Sequence, residues 1–235
     1  MANIVPVSLS RHGAKQLLPR TSWAFAASQQ AVSLLLPEFP LAAPHLPIVF
    51  VRMKESWLPS ALLGLERGRN ALVDGDGNWQ GGYIPSVLRR HPFVMIRKEE
   101  GSSDFALCVD EESGRLADSG GEPLFTADGK QSPALENAVR FATEQMRVAP
   151  AGEQLGALLA ELGLLMPLAL KRGEEEVRLE GFAIVAEKKL NDLADEAFLR
   201  LRAAGMLPAV YAHLLSLHQL ERLAKGAPAG EASNR

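Results

Sequence analysis

Prolines at positions 6, 19, 37, 40 and 44 set the first limit on this chain. Each pyrrolidine ring fixes φ and removes a backbone N–H that a helix interior needs. Long helices therefore cannot run through the first forty-five residues, apolar as they are. SWAFAASQQAVSLL (22–35) suits a short strand or a turn of helix. LPIVFVRM (46–53) is β-branched and aromatic and reads as a buried strand. PSALLGLERGRN (59–70) reads as a short helical segment closed by glycines, and ALVDGDGNW (71–79) as a strand running into a tight turn. HPFVMIRK and DFALCVD are two further strands, joined by the polar connection KEEGSS. Residues 112–130 are turn-rich and hold at most short strands. No helical crossover separates these strands, so 46–127 reads as an antiparallel β-meander.

The second half changes period. Ser132-Pro133 offers a capping hydroxyl followed by proline at the first helical position. Leu135, Val139, Ala142 and Met146 follow at helical spacing, with Glu136 and Arg140 as an i,i+4 pair. A second helix is expected over 153–161, stopping near Gly163. LLMPLAL (164–170) and EVRLEGFAIV (176–185), joined by KRGEEE, form a β-hairpin, with the acidic run Glu174 to Glu176 as its solvated turn. One helix over 192–204 and another from Pro208 to the glycine at 226 close the fold. The expected class is α+β: an antiparallel meander in the first half, and helices plus a hairpin in the second, packing as one globular unit. Residues 1–225 are expected to form a single domain, with a β-rich part at 46–127 and a helix-rich part at 132–225. Residues 226–235 are expected to be a disordered tail, small and polar.

Composition narrows the function classes. Of the 235 residues, 47% are hydrophobic and 23% charged, an ordinary globular balance. A net charge of -3 gives no case for nucleic acid, which calls for a basic stripe. The single cysteine, Cys108, excludes an internal disulfide and fits a reducing compartment. It lies inside FALCV, where a small core residue is expected. The longest apolar-rich run, 155–170, is interrupted by Glu161 and Pro167, so no transmembrane segment is expected. The first residues lack the apolar core of a secretory signal, and the expected location is cytoplasmic.

One stretch stands out as a candidate site. GDGNWQGGYIPSVLRRHPF gathers Trp79, Tyr83, Arg89, Arg90 and His91 between glycines, a proline and an apolar strand. Two aromatic rings beside two guanidiniums can hold a planar or anionic group, or a partner's side chain. The plainer reading is that the rings cap a sheet edge and the arginines pair with acids. DGDGNW resembles half of a calcium loop, but position 12 counted from Asp74 is Pro85, so the decisive ligand is missing. Histidines 12, 45, 91, 213 and 218 are scattered, and no zinc spacing, phosphate loop or nucleophile elbow is present. No catalytic residue, metal or cofactor is therefore assigned.

Several blocks together resemble the SapC family of bacterial proteins. They are LPIVF (46–50), LLGLERGRN (62–70), GNWQGGYIPSVLRRHPF (77–93), GEPLF with the DG that follows (121–129), LEGFAIVAEKKLNDL (179–193) and AAGMLPAVYAHLLSLHQLERL (203–223). They keep the family's order over roughly Pro6 to Leu223, and tyrosine is commoner in the family where His91 stands. The resemblance implies a link to surface-layer or outer-membrane-receptor-associated processes, and it carries over no catalytic residue. A transporter-permease label used for some members does not suit this sequence, because nothing in it is built to span a bilayer. The function expected is a non-enzymatic accessory protein acting through a protein or peptide partner. The alternative is a small-molecule-binding protein or enzyme using a pocket around residues 79–93, with His91 as acid or base. The sheet edge and the last helix both offer surfaces for a homodimer.

Overall fold

The computed structural model describes residues 3–98, 104–172 and 175–225. The expected KEEGSS connection beyond Lys98, the tip of the second hairpin at 173–174 and the tail at 226–235 lie outside the described residues. The chain begins with β1 (Ile4–Pro6), the single turn α1 (Leu9–His12) and β2 (Gln16–Leu17). A 3₁₀ turn at Ala24–Ala26 leads to β3 (Ala31–Ser33) and α2 (Phe39–Ala42). The hairpin β4 (Ile48–Met53) and β5 (Ser56–Leu62) follows, then the helical turn α3 (Ser86–Arg89). A second hairpin pairs β6 (Phe93–Arg97) with β7 (Phe105–Asp110), and β8 (Leu116–Ala117) and β9 (Glu122–Pro123) are short. Beyond them come α4 (Pro133–Glu161), β10 (Leu165–Arg172) and β11 (Glu175–Val185). The chain then winds into α5 (Glu187–Asn191), α6 (Asp195–Ala203), α7 (Leu207–Ser216) and α8 (Gln219–Ala224).

The class is α+β, with every strand pairing antiparallel. The strands sort into three sheets: β10-β11-β4-β5-β3, β1-β7-β6 and β8-β2-β9. The five-stranded sheet draws on both halves of the chain. Phe182 pairs with Val51 and Ala183 with Phe50, so the late hairpin extends the early one. The first half is thus two antiparallel hairpins given to different sheets, a distribution that strand patterns alone do not specify.

Residues 59–62, expected to be helical, lie in β5 instead. Pro59 sits opposite Phe50 in the middle of the sheet. Its carbonyl accepts from Leu34 N, just beyond the end of β3. In an antiparallel strand a residue's N–H and C=O point toward the same neighbour. The donor that proline lacks therefore points where β3 has already ended, and the β4 ladder loses nothing.

The two helices expected over 132–161 are one, α4, with Pro150 inside it. Its start is the expected cap: Ser132 Oγ accepts from Leu135 N at 3.3 Å. An interior proline costs about 3 kcal/mol. Packing offsets this, because α4 lies tight against β5. A Cβ on Gly156 would stand 1.8 Å from the carbonyl oxygen of Trp57, and one on Gly152 would stand 3.0 Å from the Pro59 ring. Leu155 and Leu159 complete that face, fully buried in the large core with Phe39, Phe50 and Leu62. The other end of α4 puts Leu135 in a smaller core with Phe93, Val109 and Leu124.

The closing helices also divide more finely than expected. The 192–204 helix is α6, preceded by the unexpected short helix α5, and the final helix is α7 and α8, broken at Leu217–His218. The cause of this break is local. Ser216 Oγ donates to the His213 carbonyl at 2.6 Å, so Leu217 N turns back to Leu214 O in 3₁₀ fashion. Among the described residues no helix is long and apolar enough to cross a membrane.

Candidate functional site

The loop before α3 is shaped by Asp74. Its carboxylate accepts from Asp76 N and Asn78 N on one oxygen, and from Asn78 Nδ2 and Gln80 Nε2 on the other. Those amides, Asn78 N first, hold the carboxyl below its usual range. The acid closes its own loop, as the turn reading of DGDGNW expects, and the strand expected over 71–79 reduces to one bridge between Val73 and Trp79. No group of His, Cys, Asp and Glu among the described residues is arranged to hold a metal ion. Two glycines then allow close ring contacts. A Cβ on Gly81 would stand 2.6 Å from Trp79 Nε1, and one on Gly82 would stand 2.3 Å from His45 Nδ1.

Glu38 is the hub beneath α3. Tyr83 Oη donates to Glu38 Oε1 at 2.7 Å, and Ser86 N donates to the same oxygen at 2.7 Å. Ser86 Oγ (2.8 Å) and Leu35 N (3.0 Å) donate to Oε2. All four donors point at this buried carboxylate, and the Arg89 guanidinium lies 3.9 Å away. Burial, followed by Glu38, pushes the Tyr83 hydroxyl well above its usual range. From the other side Gln145 of α4 accepts from Arg90 Nη1 at 3.1 Å and donates to the Ser86 carbonyl at 3.0 Å. The helical turn is clamped between α2 and α4. Arg89 emerges from the clamp, 45% exposed, with its guanidinium 5.9 Å from the Tyr83 ring and 5.5 Å from the Phe141 ring.

A row of rings runs along the segment 20–25. Trp79 meets Trp23 at 6.0 Å between centroids, and Trp23 meets Phe25 at 6.0 Å. Phe25 stacks on His91 at 3.8 Å with the planes 9° apart. Arg20 lies 4.5 Å over Trp23 and donates to the carbonyls of Arg89 and His91. Arg115 donates to the carbonyls of Leu18 and His91. His91 ends the row at an open cleft of about 340 Å³. Burial first, and then the charge of Arg20, pushes the His91 imidazole down to about 4. At neutral pH the ring is therefore an uncharged platform, poorly matched to an acid–base role there.

The five nominated residues thus share one neighbourhood but not one face. Trp79 and His91 take opposite ends of the ring row. Tyr83 and Arg89 attend Glu38, and Arg90 turns to α4. Sequence reasoning missed Arg20, Trp23, Phe25, Glu38, Arg115 and Gln145. Glu38 had a signal: it is the lone charge in the apolar, proline-rich run 34–44. Gln145 had a weaker one, a polar residue on the helix stripe that buries Leu135 and Ala142.

Among known proteins, the SapC family model matches residues 7–223. No curated protein and no solved structure matches the chain. A match over nearly the whole length, in a chain whose most distinctive block folds around a single buried carboxylate, places this protein in the SapC family.

Proposed function

We propose that this protein is a non-enzymatic accessory protein that binds a protein or peptide partner in the bacterial cytoplasm. The processes it serves are those linked to the surface layer or to outer-membrane receptors. The carrying observation is Arg89, exposed between the Tyr83 and Phe141 rings on a turn that Glu38 and Gln145 hold from two sides. Arginine beside aromatic rings is typical of binding hot spots, and a turn fixed in advance loses little entropy on association. Tyr83 and Arg90 serve this surface by fixing the turn that carries Arg89, while Trp79 and His91 lie in the neighbouring ring row.

The test is affinity for a partner captured from the native host, identified and then purified. Arg89→Ala is expected to weaken binding by about tenfold or more, in the range of a hot-spot truncation. Undiminished affinity with an unchanged circular dichroism spectrum would remove the proposal.

A further inference from the structure

We infer a second site, separate from the Arg89 surface. The cleft bounded by Leu18, Thr21, Ser22, Phe25, His91 and Arg115 binds a small molecule whose oxyanion, a carboxylate or a phosphate, faces Arg115 while its planar body lies against the Phe25–His91 stack.

Charge balance points there. Arg20 and Arg115 are both half-buried, and both donate to the carbonyl of His91. Among the described residues neither has a carboxylate partner. Their remaining contacts are the carbonyls of Leu18 and Arg89, the His91 ring and, for Arg20, the faces of the Trp23 and Phe25 rings. Carbonyl dipoles satisfy N–H groups but do not neutralise two full charges. The cost is visible in Arg20, whose guanidinium is lowered to about 10 by burial and then by the charge of Arg115. Asp110 acts on His91 from nearby, but its Oδ1 is occupied by the amides of Asn3 and Glu112. One neutral donor would hold the His91 carbonyl at lower cost. A pair of cations beside an open cleft is the arrangement that an arriving anion completes.

The cleft's size and walls define the rest of the ligand. About 340 Å³ is at the lower end of small-molecule pockets. The stacked Phe25 and His91 rings line the cleft, together with Thr21, Ser22 and Ser113. The site therefore suits a compact aromatic or otherwise planar acid better than a long chain.

The experiment is a titration followed by amide NMR, with benzoate and phenyl phosphate as probes and benzamide as the uncharged control. Saturable shifts are expected at residues 18–25, 91 and 113–115, with benzamide binding about tenfold more weakly or less. Whichever of the two anions binds more tightly identifies the oxyanion. Arg115→Gln should abolish the effect. Should that variant not fold, Thr21→Trp fills the cleft mouth and leaves both arginines in place, and it too should block the probes. Arg89→Ala should leave probe binding unchanged, which separates this site from the partner surface. Equal binding of benzamide, shifts elsewhere, no saturation at millimolar probe, or full affinity in folded Thr21→Trp would each overturn the assignment.

Discussion

At the scale of single residues, two buried polar groups do work that an apolar core cannot. Glu38 gathers four donors from two separate stretches of chain, Leu35 and Tyr83–Ser86, and its carboxylate is where those donors converge. Glu38→Gln keeps the shape but turns an amide NH₂ toward groups that are themselves donors. The expected loss is about 3 kcal/mol in urea unfolding, the scale of a broken charged hydrogen-bond set. A loss no larger than that of a surface change would show that the charge is dispensable. His213 is the second group. Its Nδ1 donates to the Ile48 carbonyl at 2.8 Å and its Nε2 accepts from Val185 N at 3.0 Å. The ring thus joins β4 to β11 just beyond the last residues that pair directly. Only neutral imidazole can make both bonds, and burial pushes its pKa down from 6.5 to about 4. The unfolded chain takes up that proton first as pH falls. The contribution is therefore whole above pH 6.5 and is lost progressively down to about 4. His91 shifts the same way and adds to the slope. The urea midpoint should fall through that window, and His213→Gln should flatten the decline while lowering stability at neutral pH. An unchanged slope in that variant would refute the role given to this ring.

At the scale of elements, helix α4 shows how tertiary contact overrides a local stop signal. Pro150 is exposed, so its cost is not matched by any packing of its own. Pro150→Ala restores a backbone donor and should stabilise the protein by about 1–3 kcal/mol in thermal or urea melts. Gly156→Ala should do the opposite. Its methyl would meet the Trp57 carbonyl at 1.8 Å, a backbone atom that cannot yield without moving β5. A loss of about 2 kcal/mol or more is expected, and a neutral result would mean that the helix and sheet can part freely. The same helix marks how far sequence can be read. Strands β4, β6 and β7, the hairpin β10–β11 and the Ser132 cap follow from residue type and period, because those signals are local. β5 was hidden by its proline and the continuity of α4 by Pro150, since in each case distant packing offsets a local penalty. The site was half legible for the same reason. GYIPSVLRRHP advertises itself, whereas Arg115, Glu38 and Arg20 arrive from sequence distances of 24, 45 and 71 residues through contacts that no local pattern encodes.

At the scale of the molecule, the question is whether two cores make one cooperative unit. The small core holds Phe93, Val109, Leu124 and Leu135, and the sheet above it carries the only cysteine, Cys108, which is buried. The large core holds the five-stranded sheet, with Trp23, Trp57 and Trp79 packed against it. Both take residues from α4: Leu135 in one, Leu155 and Leu159 in the other. A continuous helix couples them, because releasing either core frays the platform of the other. Urea unfolding offers two reporters that the sequence has already separated. Tryptophan fluorescence follows the large core, and reaction of the Cys108 thiol follows the small one. With fast reclosing, both should give the same midpoint, and Leu135→Ala should lower the two together by about 2–4 kcal/mol, the usual cost of such a cavity. If Cys108 becomes reactive at urea concentrations where the fluorescence is still native, the small sheet opens alone. In that case the single-domain reading of residues 1–225 fails, and α4 is a tether rather than a coupling rod.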